Sequence, residues 1–218
     1  MHAVVYKAAL AAGDVRVLVT LAVPSDARTN FARAGVLDRA HAKYRVSKAI
    51  VTAIVDEHGT EHGTAATAFS SKKIVYTLGQ PVCVDDWDPD IATVCTSGIH
   101  VFLTRRVAEL YCLKGTNGAH HAWHDNGQKY VACAYKGGLL DGHFQSWHVN
   151  GQQSVECTYD EGDPVGRYHL WHDNGQKSVE CTYRNGEREG HYHSWYDTGQ
   201  TLMECTYKDG QFAGLCRR

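Results

Sequence analysis

The chain has 218 residues, 43% of them hydrophobic and 21% charged, with a formal net charge of −2 at neutral pH. That length suits two domains. Residues 118–218 hold 9 Lys and Arg against 13 Asp and Glu, so the cationic clusters that phosphate-backbone binding needs are missing there, and the C-terminal half is expected to bind no nucleic acid.

The N-terminal segment MHAVVYKAALAAGDVRVLV is apolar but interrupted by Lys7, Asp14 and Arg16. It lacks the basic start of a secretory signal. No stretch approaches the ~20 apolar residues that cross a bilayer. An intracellular, non-secreted protein with no transmembrane segment is expected.

Strand-like runs follow at residues 3–6, 15–23, 44–55, 65–69, 74–78 and 98–103. The run 44–55 is long enough for part of it to be helical. Thr104 can cap a short helix from 105 to about 112, with Val107, Leu110 and Tyr111 on one side. Together these predict an α+β domain of unassigned function over residues 1–117, ending in the polar linker KGTNG at 114–118.

Two constellations in this half invite chemistry. His58 and His62 have the spacing of a helical zinc pair, but Gly59 and Gly63 favour a loop, and no metal is expected. Cys95 and His100 are the candidate site residues of this half. A nucleophilic thiol needs a base within hydrogen-bond reach and a third group to orient that base. The residue types alone supply neither, so no catalytic residue and no cofactor are assigned.

From residue 118 the pattern changes. Tryptophan recurs at Trp123, Trp147, Trp171 and Trp195, and cysteine at Cys133, Cys157, Cys181 and Cys205, each at a period of 24. Tyr135, Tyr159, Tyr183 and Tyr207 follow the cysteines by two positions. A fixed period of this size marks a stacked repeat array. Four units begin at Gly118, Gly142, Gly166 and Gly190, and a truncated fifth begins at Gly214.

Each unit carries two turn signals. The first contains Gly127, Gly151, Gly175 or Gly199, preceded by Asn in three units and by Thr198 in the fourth. Asn-Gly suits a tight hairpin turn, since both residues tolerate positive φ. The second contains Gly138, Gly162, Gly186 or Gly210 and reads as a slightly longer loop with glycine in the left-handed position. Between them Val155, Cys157 and Tyr159 alternate with Glu156 and Thr158, a strand with one apolar face. The units are therefore β-hairpins. They make an all-β array of about eight antiparallel strands, roughly 38 Å across at ~4.8 Å per strand.

That geometry constrains the thiols. Equivalent residues lie about two strands apart, roughly 10 Å, too far for a disulfide or for ligation of one zinc ion. The cysteines are expected to be small buried apolar residues. The array histidines share one strand face with tryptophans, as in His169 with Trp171 and His193 with Trp195, and an exposed ladder is expected. The run GQKS at 175–178 is turn chemistry rather than a phosphate loop.

The pattern G-x-Y-x-x-W-x-x-x-G-Q-x-x-x-E-C-x-Y-x-x-G resembles the variant MORN repeat over residues 118–218. The resemblance implies an elongated, gently curved sheet and a role in scaffolding, assembly or, in some members, membrane attachment. Some bacterial relatives are labelled antitoxins. Claims of lipid binding made for the longer eukaryotic unit, whose glycine pattern differs, are not carried over. The runs YTLGQPV and CTSGIHVFLTRRVAELY, within about 44–112, resemble a domain found in proteins of large DNA viruses and some phages, joined there to pentapeptide or MORN-like repeats. Together the resemblances imply a protein of an amoeba-infecting giant virus, located in the virion and host cytoplasm.

The expected function is a non-enzymatic scaffold for protein partners. A homodimer is expected through the C-terminal repeats, because the last strand of an open sheet leaves backbone groups to be paired. The alternatives are an N-terminal small enzyme or regulatory ligand-binding domain positioned by the repeats, and an antitoxin-like masking protein.

Overall fold

The computed structural model describes residues 2–67, 73–112 and 117–214. The chain divides into two compact units, Met1–Lys114 with Trp123–Gln128, and Gly115–Ala122 with Lys129–Arg218. The first Asn-Gly turn of the repeats thus belongs to the N-terminal unit rather than to the array. Most of the expected 114–118 linker, the end of the 65–69 run and all but Gly214 of the truncated fifth unit lie outside the described residues.

Unit one is built on an eight-stranded antiparallel sheet. Its strands are β1 (Ala3–Leu10), β2 (Arg16–Val23), β3 (Lys43–Val46), β4 (Lys48–Asp56), β5 (Thr64–Ala66), β6 (Val75–Thr77), β7 (Pro81–Cys83) and β8 (Ile99–Phe102). The order is β3-β8-β1-β2-β4-β7, with β5 bridging β1 and β6. Val17, Val19, Leu21 and Val23 alternate inward along β2 and meet Val5 and Ala9 of β1, Val51 and Ile54 of β4, and Ile99 and Val101 of β8 in one core.

The α+β expectation for this unit is wrong. α1 (Arg105–Cys112) is the only α-helix among the described residues, and apart from a three-residue 3-10 turn at Ala12–Asp14 the rest of the described unit is strand, turn and loop. The run 44–55 shows why the sequence misleads. Val51 and Ile54 are both buried although three positions apart, a helical spacing. A register shift opposite Thr20 and Leu21 leaves Thr52 as the extra residue, and the inward face changes parity there. The Thr52 hydroxyl donates to the Thr20 carbonyl at 3.1 Å. Strand β7 carries a proline, Pro81, at its first position. It is tolerated because β7 ends the strand order.

Helix α1 buries Val107 and Ala108 against Tyr6, Leu18 and Phe102. Thr104 stands just before the helix, with its hydroxyl donating to the Ala40 carbonyl at 3.0 Å and its own carbonyl accepting from the Ala108 N–H at 3.4 Å. Leu110 is half-buried. Tyr111 stays 38% exposed, with its ring tilted against Phe102.

Unit two carries an eleven-stranded antiparallel sheet. Its strands are β9 (Gly118–Trp123), β10 (Lys129–Lys136), β11 (Leu139–Leu140), β12 (Gly142–Trp147), β13 (Gln153–Asp160), β14 (Asp163–Trp171), β15 (Lys177–Arg184), β16 (Glu187–Arg188), β17 (Gly190–Trp195), β18 (Thr201–Lys208) and β19 (Gln211–Phe212). The count exceeds eight because β11, β16 and β19 are two-residue strands that continue pairing past the second turn.

The two turn types are exchanged relative to the sequence reading. At the second turn Asp160 pairs with Asp163 and Arg184 with Glu187, so only two residues intervene. Both of them take positive φ, as in Glu161 (48°) with Gly162 (95°) and Asn185 (51°) with Gly186 (78°). That is the tight primed turn. At the first turn only the glycine is left-handed, at +82° for Gly175, and its N–H donates to the His172 carbonyl at 3.0 Å. A wider loop results, and the Asn174 carboxamide oxygen accepts from the Gln176 N–H at 3.0 Å.

Candidate functional site

The first candidate is a cleft within unit one. β1 pairs with β2 along its whole length. On its other side it meets β8 only at Tyr6↔Phe102 and β5 only at Leu10↔Ala66. Residues 7–9 lie between those two contacts and line a cleft of about 810 Å³. Lys7, Arg16, Lys43 and His100 contribute to it, as do Asp14, Asp86 and Cys95. Leu10, Ile74, Val84 and Phe102 supply apolar wall.

One rim is held by a buried cation. Arg45 is fully buried, and its guanidinium donates to the carbonyls of Ser97 (2.6 Å) and Asp88 (3.3 Å) and to that of Asp90. Its plane lies over the Trp87 ring at 4.7 Å. The acidic run around it braces the same loop. Asp86 accepts from the Ser97 hydroxyl, Asp88 from Thr96 and Asp90 from Thr93, at 2.6–2.7 Å. The hydroxyl bonds from Thr96 and Thr93 hold Asp88 and Asp90 below the usual carboxylate range.

Cys95 and His100 line the same cleft but are not partnered with each other. The His100 Nε2 lies 2.8 Å from the Val94 carbonyl. A carbonyl only accepts, so Nε2 carries the proton. Burial, and then the nearby positive charge of Lys43, push the pKa of this imidazole down. Its neutral form leaves Nδ1 as an acceptor. The Cys95 sulfur instead lies 3.3 Å from the Lys43 ammonium and 3.4 Å from an Asp125 oxygen. Lys43 and Asp125 form an ion pair at 3.2 Å. Burial alone would lower the Lys43 pKa, but the pairing with Asp125 and the adjacent Cys95 sulfur outweigh it and raise it. The arrangement is a thiol that donates to the Asp125 carboxylate, which is itself paired with the Lys43 cation, and His100 takes no part in it.

Asp125 reaches this place because Trp123–Gln128 packs in unit one. Leu37 and Asp38 donate their N–H groups to the Asn126 carbonyl at 2.9 and 3.2 Å. His41 stacks on Trp123 at 4.7 Å. Arg33 donates to the Asp125 carbonyl.

His58 and His62 do not converge. His62 lies 3.1 Å from an Asp56 oxygen, while His58 stays 80% exposed. Among the described residues no group of three His, Cys, Asp or Glu side chains is placed to hold a metal ion.

The second candidate is the surface of the array, whose two faces differ in kind. On one, Cys133, Cys157, Cys181 and Cys205 are buried free thiols. Phe144, Tyr168 and Tyr192 sit directly across from Cys157, Cys181 and Cys205. They also pack on Tyr159, Tyr183 and Tyr207 at ring distances of 5.2–5.7 Å. His120 packs on Tyr135 in the same way at 5.9 Å. Burial drives the Cys157 thiol up to about 11 and the Tyr159 phenol up to about 12.

The other face is polar and aromatic. His143 pairs with Glu156 at 3.4 Å, and His169 with Glu180 at 3.5 Å. His169 meets the Trp171 ring edge-on at 5.6 Å, and His193 stacks on Trp195 at 3.9 Å. Lys129 lies over Trp147 at 5.2 Å.

Residues 2–108 match the model of a family of unknown function, DUF5758. The match stops short of the repeats, so it covers the cleft-bearing segment and not the array. No curated protein matches the chain.

Lys43, Arg45 and Asp125 were missed in the sequence. Lys43 and Arg45 flank Tyr44 and read as an ordinary alternating strand, and Asp125 is 82 positions from Lys43. The bonds from the His148 and His172 imidazoles to the Trp171 and Trp195 carbonyls of the following repeat did leave a signal. His follows Trp in units one to three, and the fourth unit has Tyr196 there and Thr198 for Asn.

Proposed function

We propose that this chain is a non-enzymatic scaffold whose variant-MORN-type array offers its tryptophan- and histidine-bearing face to protein partners. The virion and the virus-infected cell are the setting this reading assigns it. The observation that carries the reading is the contrast between the two faces. One is closed by cysteine and tyrosine. The other presents half-buried Trp147, Trp171 and Trp195 at intervals of 24 residues, with His169 beside Trp171, His193 beside Trp195, and histidine–glutamate pairs at His143–Glu156 and His169–Glu180. Aromatic residues with apolar bodies and polar edges are the groups that dominate protein interfaces. No helix among the described residues is long and apolar enough to cross a membrane.

Self-assembly through the C-terminal repeats is part of the reading. In the fourth unit Tyr196 and Leu202 are 50% and 40% exposed and, with Met203, line a shallow apolar depression. Light scattering on the full chain is expected to give a dimer mass, and Tyr196→Asp with Leu202→Asp a monomer mass. A wild-type monomer, or a dimer indifferent to both changes, overturns the assembly. Mass spectrometry of purified viral particles is expected to find the chain in abundance. Its absence from them overturns the virion role.

A further inference from the structure

The cleft beside β1 has no part in the scaffold reading, and its lining is specific. Its volume falls in the range of small-molecule sites, roughly 300–1,000 Å³. Two lysines reach it from different strands: Lys7 from the stretch of β1 between its β8 and β5 contacts, and Lys43 from β3. Lys43 is held in place by Asp125 and Cys95. Ile74 and Phe102 form apolar wall in the same cleft.

We propose that this cleft binds a small organic acid, with its carboxylate toward Lys7 and Lys43 and its apolar body against Ile74 and Phe102. Three cationic side chains, Lys7, Arg16 and Lys43, line the space with two carboxylates, Asp14 and Asp86, while Asp125 pairs with Lys43 from beside it. Asp86 already accepts the Ser97 hydroxyl at 2.7 Å. Burial, and then the charges of Lys43 and Lys7, disfavour protonation of His100. A neutral His100 with its Nε2–H committed to Val94 offers Nδ1 as the acceptor for a hydroxyl or N–H on the ligand. The apolar walls favour a ligand with a hydrocarbon body over inorganic phosphate. Among the described residues that line the cleft the one glycine is Gly98.

The site lies wholly within unit one and does not depend on whether the chain assembles. Saturation-transfer NMR on the full chain, with millimolar benzoate, benzylamine and inorganic phosphate, tests it. Benzoate is expected to give ring-proton signals that phosphate does not remove at equal concentration, and benzylamine none. Lys7→Glu, at a half-exposed position and with wild-type circular dichroism as the control for folding, should weaken benzoate binding by about ten-fold or more. Lys43→Met should do the same. Absence of a benzoate signal overturns the proposal, as does equal binding of benzylamine or full retention of benzoate by Lys7→Glu. Displacement by equimolar phosphate overturns the role of the apolar wall.

Discussion

The imidazole Nε2 of His172 lies 2.9 Å from the backbone carbonyl of Trp195, one repeat further on. His148 makes the same bond to Trp171, also at 2.9 Å. At each of these tryptophans the hairpin register shifts, and the histidine of the preceding unit donates to the carbonyl at that bulge. Asn150 and Asn174 add parallel bonds to the carbonyls of Asp173 and Asp197, at 2.5 and 2.6 Å. Neighbouring units are thus joined by side chains as well as by the sheet ladder. Tyr196 and Thr198 interrupt both series in the fourth unit.

His172→Ala is expected to lower the stability of the array by about 1 kcal/mol, the usual net worth of one such bond. Tyr196→Ala removes no donor to a following carbonyl and should cost less. Urea denaturation followed by tryptophan fluorescence compares the two. Equal losses would dissolve the distinction between linking and terminal units.

The exchanged turns make a prediction of opposite sign. Glu161 sits at φ 48° in a two-residue turn, where a side chain with a Cβ is strained by roughly 1 kcal/mol. Glu161→Gly should therefore raise the melting temperature. Asn185→Ala, at φ 51°, should lower it, because asparagine tolerates this region better than alanine does.

Two turn glycines should respond differently to the same change. A Cβ on Gly127 would stand 2.0 Å from the Asp38 carbonyl oxygen, a backbone atom. One on Gly175 would meet the side-chain oxygen of Gln152 at 1.9 Å, and that side chain can rotate away. Both carry the left-handed strain of about 1 kcal/mol. Gly127→Ala should cost at least about 2 kcal/mol beyond that, in the range of backbone-displacing changes. Calorimetry of both variants checks the order.

His100 predicts a dependence on pH. Its folded-state pKa lies below the ordinary ~6.5 of an unfolded histidine, through burial and then the Lys43 charge. Between those two values the unfolded chain binds a proton that the folded chain does not. The contribution is therefore fully present above pH ~6.5 and is lost as pH falls through the folded pKa. Thermal melts from alkaline to mildly acidic pH should show this slope, and His100→Asn should flatten it in that window. An identical slope in the variant would assign the effect to other groups.

The hairpins could be read from the sequence because their cause is local. A period of 24 is even, so each unit repeats the same inward residues, and a glycine marks each turn regardless of partners. Which turn was tight could not be read, because Asn-Gly and Glu-Gly both permit either geometry and cross-strand register chooses between them. The α+β expectation failed for a related reason. The bulge at Thr52 gives a strand the spacing of a helix, and only its pairing with β2 reveals it.

The sequence by itself determined the repeat, the alternation of its faces and the burial of its cysteines, since these follow from a pattern that recurs along the chain and from pairing within and between adjacent hairpins. Tertiary structure alone decided the cleft. Lys7, Lys43, Cys95 and Asp125 come from separate segments. What joins them is where β1 leaves β8 and how Trp123–Gln128 packs in unit one, and neither has a periodic signature along the chain.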